Sequence, residues 1–357
     1  MLIAFQDCSI HTPTISQEPT MPSHVIRSAG ICLIAATCTW FAPFTQQRVE
    51  ASDANSERNS TQVRPAVPDT PELPPPTFSE VAYGDHPRQV LDFWKASSAE
   101  PTPVAFVIHG GAWRGGSKER VSRFVDVNKL LDAGISVVAI NYRYVTQADK
   151  NAKTPPVHAP LHDAARALQF VRTKSQPWNL DKDCVGAAGG SAGACSSLWL
   201  AFHDEMKDPD NPDALLREST RLQCAAVQGA QTTLDPQQMR EWTPNSKYGG
   251  HAFGIKGNSF DAFLNARPRI LNWINEYSPY ALVSKDDPPV SLYYSAKPAL
   301  GKPQKDPTHT ANFGVKLQEH CRETGTECLL IYPGVSQVEF PTPTDFLIHH
   351  LKGNGHH

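Results

Sequence analysis

The chain has 357 residues, enough for one large or two ordinary domains with a sizeable buried core. Hydrophobic residues make up 40% and charged residues 19%, and 33 Lys+Arg against 36 Asp+Glu leave a formal charge of −3. That balance provides no basic stripe for nucleic acid and no polybasic anchor for a membrane surface.

In chain order, the first predicted feature is a leader over residues 1–51. MPSHVIR (21–27) forms a short positive region, an apolar run follows over 29–43, and Val49-Glu50-Ala51 places small residues where a signal peptidase would cut. Translation would then start at Met21, and the apolar run is too short to span a bilayer comfortably, so the mature chain is expected to have no transmembrane segment and to be periplasmic or secreted. Residues 52–79, with NSERNSTQVRPAVPDTPELPPP, read as an extended Pro-rich linker.

From residue 80 to 353 the pattern becomes that of a folded domain. Residues 81–83 and 89–94 flank Gly84-Asp-His-Pro87 and predict an antiparallel hairpin. Continuous apolar runs at 104–109, 135–141, 184–189, 224–231, 290–296 and 327–333 suit strands buried on both faces of a parallel sheet. Segments 160–175 and 312–326 have helical spacing, the first with Pro160 in its opening turn and the second ending at Gly325. Alternating strand and helix predicts an α/β domain with a mostly parallel central sheet and helices on both faces. Residues from about 234 to 280 break the rhythm with many aromatics and are expected to form an inserted cap over one edge of the sheet. Outside the leader, Cys184, Cys195, Cys224, Cys321 and Cys328 read mainly as buried free thiols, with a Cys321–Cys328 bridge as the alternative in an oxidising compartment.

Two loops carry the chemistry. Gly189-Gly190-Ser191-Ala192-Gly193 satisfies G-x-S-x-G between a predicted strand and a predicted helix, the context in which a serine is held on a sharp turn as a nucleophile. His109-Gly110-Gly111-Ala112 follows the first buried strand, where two glycines let backbone N–H groups converge as an oxyanion hole. The run VIHGGAWRGGSKER, then AINYRYV, then GGSAG resembles the α/β-hydrolase esterases of the hormone-sensitive-lipase type, with bacterial feruloyl and acetyl-carbohydrate esterases nearest. The resemblance covers residues 80–351. It implies an α/β-hydrolase fold, Ser191 as nucleophile, and the amides of Gly110, Gly111 and Ala192 as oxyanion donors. It further implies that Asn141-Tyr142-Arg143 supports the floor of the site, that Asp163 is structural, and that the enzyme needs no cofactor or metal.

The same resemblance demands an acid just beyond the strand at 290–296 and a histidine after the strand at 327–333. Neither is there: Lys297-Pro298 occupies the first place and Ser336-Gln337-Val338-Glu339-Phe340 the second. His309, in the loop after the strand at 290–296, is the substitute base, oriented by Asp306 or by Glu339. The alternative is that Asp306 or Thr308 caps the next helix and His309 is merely solvated. His158 and His162 invite a metal reading, but without further ligands at metal spacing they read as loop and helix-start residues. The expected function is an exported serine esterase on small-molecule or carbohydrate esters. The alternative is a hydrolase-fold binding protein that has lost turnover along with the histidine after the last strand.

Overall fold

The computed structural model describes residues 72–150, 153–257 and 259–353. The expected leader and residues 52–71 of the linker lie outside the described residues. The strands are β1 (Phe78–Ala82), β2 (Val90–Trp94), β3 (Thr102–Ile108), β4 (Ser136–Ile140), β5 (Leu180–Gly190), β6 (Cys224–Gln228), β7 (Val290–Tyr293) and β8 (Cys328–Ile331). They form one sheet in the order β1-β2-β4-β3-β5-β6-β7-β8. The β1–β2 and β2–β4 pairings are antiparallel and all others are parallel. The α-helices are α1 (Val127–Asp132), α2 (His158–Thr173), α3 (Ser175–Trp178), α4 (Ala192–Phe202), α5 (Pro236–Trp242), α6 (Phe260–Tyr277), α7 (Pro279–Leu282), α8 (Asn312–Thr324) and α9 (Pro343–Lys352).

The inner strands read as unbroken apolar runs because helices cover both faces. All five residues of β4 and all four of β7 are buried. Two separate buried clusters result, one on each side of the sheet: Phe106, Leu161, Leu168 and Trp199 belong to one, and Val107, Val137, Leu347 and Leu351 to the other. On the second side α9 approaches so closely that a Cβ on Gly186 would lie 2.9 Å from the Leu347 side chain. The hairpin and the helices predicted at 160–175 and 312–326 are present as β1–β2, α2 and α8. Gly325 ends α8 in the left-handed conformation at φ 88°. The five described cysteines are all free thiols.

α4 is buried along its whole length, although it carries two serines. Ser196 and Ser197 return their hydroxyls to the carbonyls of Ala192 and Gly193, each at 2.9 Å, so neither is left unsatisfied in the interior. The aromatic segment is an insertion in the alternation of strands and helices. It leaves the sheet between two inner strands, β6 and β7, and folds as α5, a short 3₁₀ turn (Gly250–Phe253), α6 and α7. Trp242, Phe253, Phe260 and Phe263 are buried in the same large cluster as α4. Trp199 of α4 donates its indole N–H to the Glu276 carbonyl at 3.0 Å and fixes α6 against the helix behind Ser191.

Candidate active site

Ser191 stands at the junction of β5 and α4 with φ 55° and ψ −120°, a conformation disfavoured for any residue with a Cβ. Such strain costs about 1–3 kcal/mol and persists only where the surroundings over-determine it. Here they do: Ser191 N–H donates to the Gln228 carbonyl at 2.9 Å, and its carbonyl accepts from Cys195 N–H at 3.0 Å. The flanking glycines are required by contact. A Cβ on Gly193 would sit 2.0 Å from the Ile108 carbonyl oxygen, and one on Gly189 would sit 2.6 Å from the same atom. Neither can carry a side chain without moving β3 away from the turn.

The loop after β3 is equally constrained. A Cβ on Gly110 would lie 2.5 Å from the Gly190 carbonyl oxygen, and Gly111 has φ 120°. Gly110 and Gly111 border the same cleft as Ser191. Ala192 opens α4, so its N–H is one of the donors a helix leaves without an internal partner. His109, 2% exposed, places Nδ1 2.7 Å from the Gly110 carbonyl, and its Nε2 faces Arg88 Nη2 at 3.5 Å. The proton therefore belongs on Nδ1, which donates, while Nε2 accepts from the guanidinium. Burial holds the imidazole down to about 4, neutral at physiological pH. Tyr142, stacked on His109 at 4.3 Å, donates its hydroxyl to the His109 carbonyl at 2.8 Å. Asn141 accepts from Lys118 N–H at 2.9 Å, and Arg143 grips buried Asp163 at 2.6 Å, which makes Asp163 a structural anchor under the loop.

The imidazole that reaches Ser191 comes from the β7–α8 loop. His309 Nε2 lies 2.9 Å from Ser191 Oγ, and its Nδ1 lies 2.7 Å from Asp306 Oδ2. The Asp306 carboxylate also accepts from the amides of Thr308 at 3.1 Å and His309 at 3.3 Å. Burial raises the Asp306 carboxyl, but the hydrogen bond and charge of His309 and these two amides outweigh it, and the group sits below its ordinary value. The expected helix cap differs: α8 has Ala311 at its N-cap without a side-chain bond, and Asp306 instead closes the turn on which His309 stands. Glu339 is exposed in the loop after β8, and its charge acts on His350 of α9. The partner on His309 Nδ1 is Asp306, so the geometry does not bring Glu339 to the serine. His158 and His162 pack on each other and toward Tyr277 and Trp199, and among the described residues no cluster of three or more His, Cys, Asp or Glu could hold a metal ion.

Three supporting residues went unseen in the sequence. Gln231, fully buried, donates to the Thr308 carbonyl at 2.7 Å and the Gly229 carbonyl at 3.0 Å. Asn312, also fully buried, donates to the Trp242 carbonyl at 2.8 Å and accepts from Ala299 N–H at 2.7 Å, clamping the His309 loop to α5. His251 reaches back from the 3₁₀ turn to the Ala112 carbonyl at 3.0 Å and ties the inserted segment to the loop after β3. All three act through backbone carbonyls far away in sequence, which no local motif announces.

The BD-FAE family profile matches residues 91–303, more than half of the chain, and takes in the loop after β3, Ser191, Gln231 and His251 but not Arg88, Asp306, Thr308, His309 or Asn312. The chain belongs to the BD-FAE family. Within the BD-FAE match fall β2 from Leu91, β3 to β7 and the turn at Ser191; the segment with Asp306 and His309 lies just beyond its end. A probable carboxylic ester hydrolase, LipM, of Mycobacterium tuberculosis (strain ATCC 25618 / H37Rv) is 32% identical over 150 residues, 41% of this chain and 32% of that protein. The chain thus spans about a third of the length of that curated relative. Among solved structures, a truncated carbohydrate esterase from gut microbiota superposes with a TM-score of 0.53 at 18% identity, over 71% of this chain and 86% of that one. Esterase 2 of Thermogutta terrifontis, phosphonylated by sarin, gives 0.54 at 18% identity, over 74% and 86%. These likenesses show that this BD-FAE chain has the α/β-hydrolase fold.

Proposed function

We propose that the chain is a serine hydrolase of carboxylic esters, on the single observation that His309 bridges Ser191 and Asp306 at 2.9 and 2.7 Å. Ser191 Oγ attacks the ester carbonyl while His309 Nε2 takes its proton, and Asp306 holds the Nδ1 tautomer and offsets the imidazolium charge. The tetrahedral oxyanion accepts hydrogen bonds from the amide N–H groups of Gly110, Gly111 and Ala192, the last at the positive end of α4. His309 then protonates the departing alcohol, and water, activated by the same imidazole, releases the acid. These steps use only side chains and backbone amides. LipM, named as a probable carboxylic ester hydrolase, supports the reaction class. The carbohydrate esterase among the similar folds supports carbohydrate esters beside small acyl esters as substrates. The reading as a binding protein without turnover rested on the histidine missing after β8, and an imidazole at Ser191 from another loop leaves it without that support.

Hydrolysis of p-nitrophenyl acetate is the test. Ser191→Ala is expected to lower kcat by about 10⁴-fold or more and His309→Ala by about 10³–10⁴-fold. Asp306→Asn is expected to lose roughly 10–100-fold, less than a buried triad acid, because its side chain is 62% exposed and water shares the task. Glu339→Gln stays within about twofold of wild type. Turnover that survives Ser191→Ala would sink the mechanism. We also propose that residues 1–51 direct export to the periplasm or medium; cell fractionation and N-terminal sequencing should find a mature chain starting near Ser52, and a chain retained uncut in the cytoplasm would refute it.

A further inference from the structure

The cleft that holds Ser191 and His309 has a volume of about 540 Å³, and Arg120 and Arg123 stand on its wall beside Phe124. A second hollow of about 430 Å³, bordered by Ala112 and Thr308, carries Arg114 and Lys247. No Asp or Glu lines either cavity among the described residues, although the chain as a whole has a formal charge of −3. Positive charge is therefore gathered at the site against the balance of the molecule.

The two arginines are positioned by construction. They lie three residues apart in a 3₁₀ turn (Lys118–Arg123), where positions i and i+3 eclipse and share one side. The start of the turn is pinned by Lys118, 3% exposed, whose ammonium is bound by Asp92 at 3.0 Å, by Glu119 at 2.9 Å and by Glu80. Its end is pinned by Phe124: the carbonyl accepts from Gln228 Nε2 at 3.2 Å, and a Cβ on Gly190 would lie 2.5 Å from the ring. The turn is thus registered against the residue that precedes the nucleophile. The neighbouring carboxylates are taken by Lys118, and among the described residues neither Arg120 nor Arg123 is paired with one. Two arginines at positions i and i+3 on the wall of the cleft, neither in an ion pair with a carboxylate, offer the planar donors that suit a carboxylate.

We propose that this cleft takes esters that carry a carboxylate in addition to the scissile bond, with Arg120 and Arg123 receiving that anion. The inference rests on the ester-hydrolase reading above. Hydrolysis of p-nitrophenyl acetate, sensitive to Ser191→Ala, separates the two: without that turnover both readings fall, and with it only the anion preference is at issue.

The experiment compares kcat/KM within two matched pairs on the full chain. Monomethyl terephthalate against methyl 4-carbamoylbenzoate places the charge on the acyl side, and 4-acetoxybenzoate against 4-acetoxybenzamide places it on the alcohol side. In at least one pair the carboxylate is expected to exceed the carboxamide by about tenfold, the lower end for a charge-assisted contact because the arginines are exposed. The pair that shows the preference identifies the side of the ester that Arg120 and Arg123 face. Arg120→Gln and Arg123→Gln are each expected to cut the preference about threefold or more, Arg120→Lys to keep part of it, and added salt to shrink it. Taking the ratio within each variant cancels any loss of folded protein. Ratios at or below one in both pairs, or a preference that persists in the Arg120→Gln/Arg123→Gln double variant, would overturn the proposal.

Discussion

Asp306 performs two tasks with one carboxylate: one oxygen closes the turn through the Thr308 and His309 amides, and the other holds the His309 ring. In the sequence these stood as rival readings, a local cap or a catalytic orienter, and the structure combines them because Asp306 precedes His309 by three residues on a tight turn. His109 presents a different case, a buried imidazole kept neutral by desolvation. Its pKa in the fold is about 4 against an ordinary 6.5. Between those values the unfolded chain binds a proton that the native chain excludes, so the stabilisation is complete above about pH 6.5 and is lost as pH falls toward 4. The difference corresponds to something on the order of 3 kcal/mol. Thermal unfolding followed from pH 7 down to pH 4 should therefore show a shallower fall in Tm for His109→Gln than for wild type; parallel curves would show that other groups carry the acid sensitivity.

Among the elements, those with continuous local patterns were legible. The strands, the α2 and α8 helices and the serine turn follow from apolar runs, helical spacing and glycine placement. The inserted segment was legible only as a departure from the rhythm, because its destination depends on contacts that have no sequence period. Its aromatics join the large buried cluster that also contains α4, and its 3₁₀ turn reaches the loop after β3 through His251. That contact makes the insertion a brace for the oxyanion loop. His251→Ala is expected to lower kcat on p-nitrophenyl acetate by roughly tenfold with little change in KM, since a bond of about 1 kcal/mol that holds the loop acts on the transition state more than on ground-state binding. Addition of imidazole should not restore the rate, and a loss confined to KM would assign the contact to substrate binding instead.

For the whole molecule, the antiparallel pair β1–β2, the parallel sheet and its two apolar faces all belong to one compact unit among the described residues. Its core contains the large buried clusters on both sides of the sheet, so a chain starting at Ala66 should fold without the residues before it. Cooperative thermal unfolding of that shortened chain, at a Tm within a few degrees of the full chain (about 2–4 °C per kcal/mol at this size), is the expected result; a loss of cooperativity would assign residues 1–65 to the fold. The α/β class could be read from the alternation of strands and helices. The position of the base could not, since topology alone decides that the loop after β7 and the turn after β5 meet at one end of the sheet. One consequence follows from the contact between that loop and that turn. Asp306 and His309, the acid and base of the proposed mechanism, are encoded within four consecutive codons, so they travel as a single cassette: one short graft of the loop could transplant both onto a related scaffold, and one small deletion would remove both. The stretch after β8 supplies no residue to the Ser191 cleft, so its exposed part, Ser336 to Glu339, is correspondingly open to redesign, as a place to attach a tag or a second module.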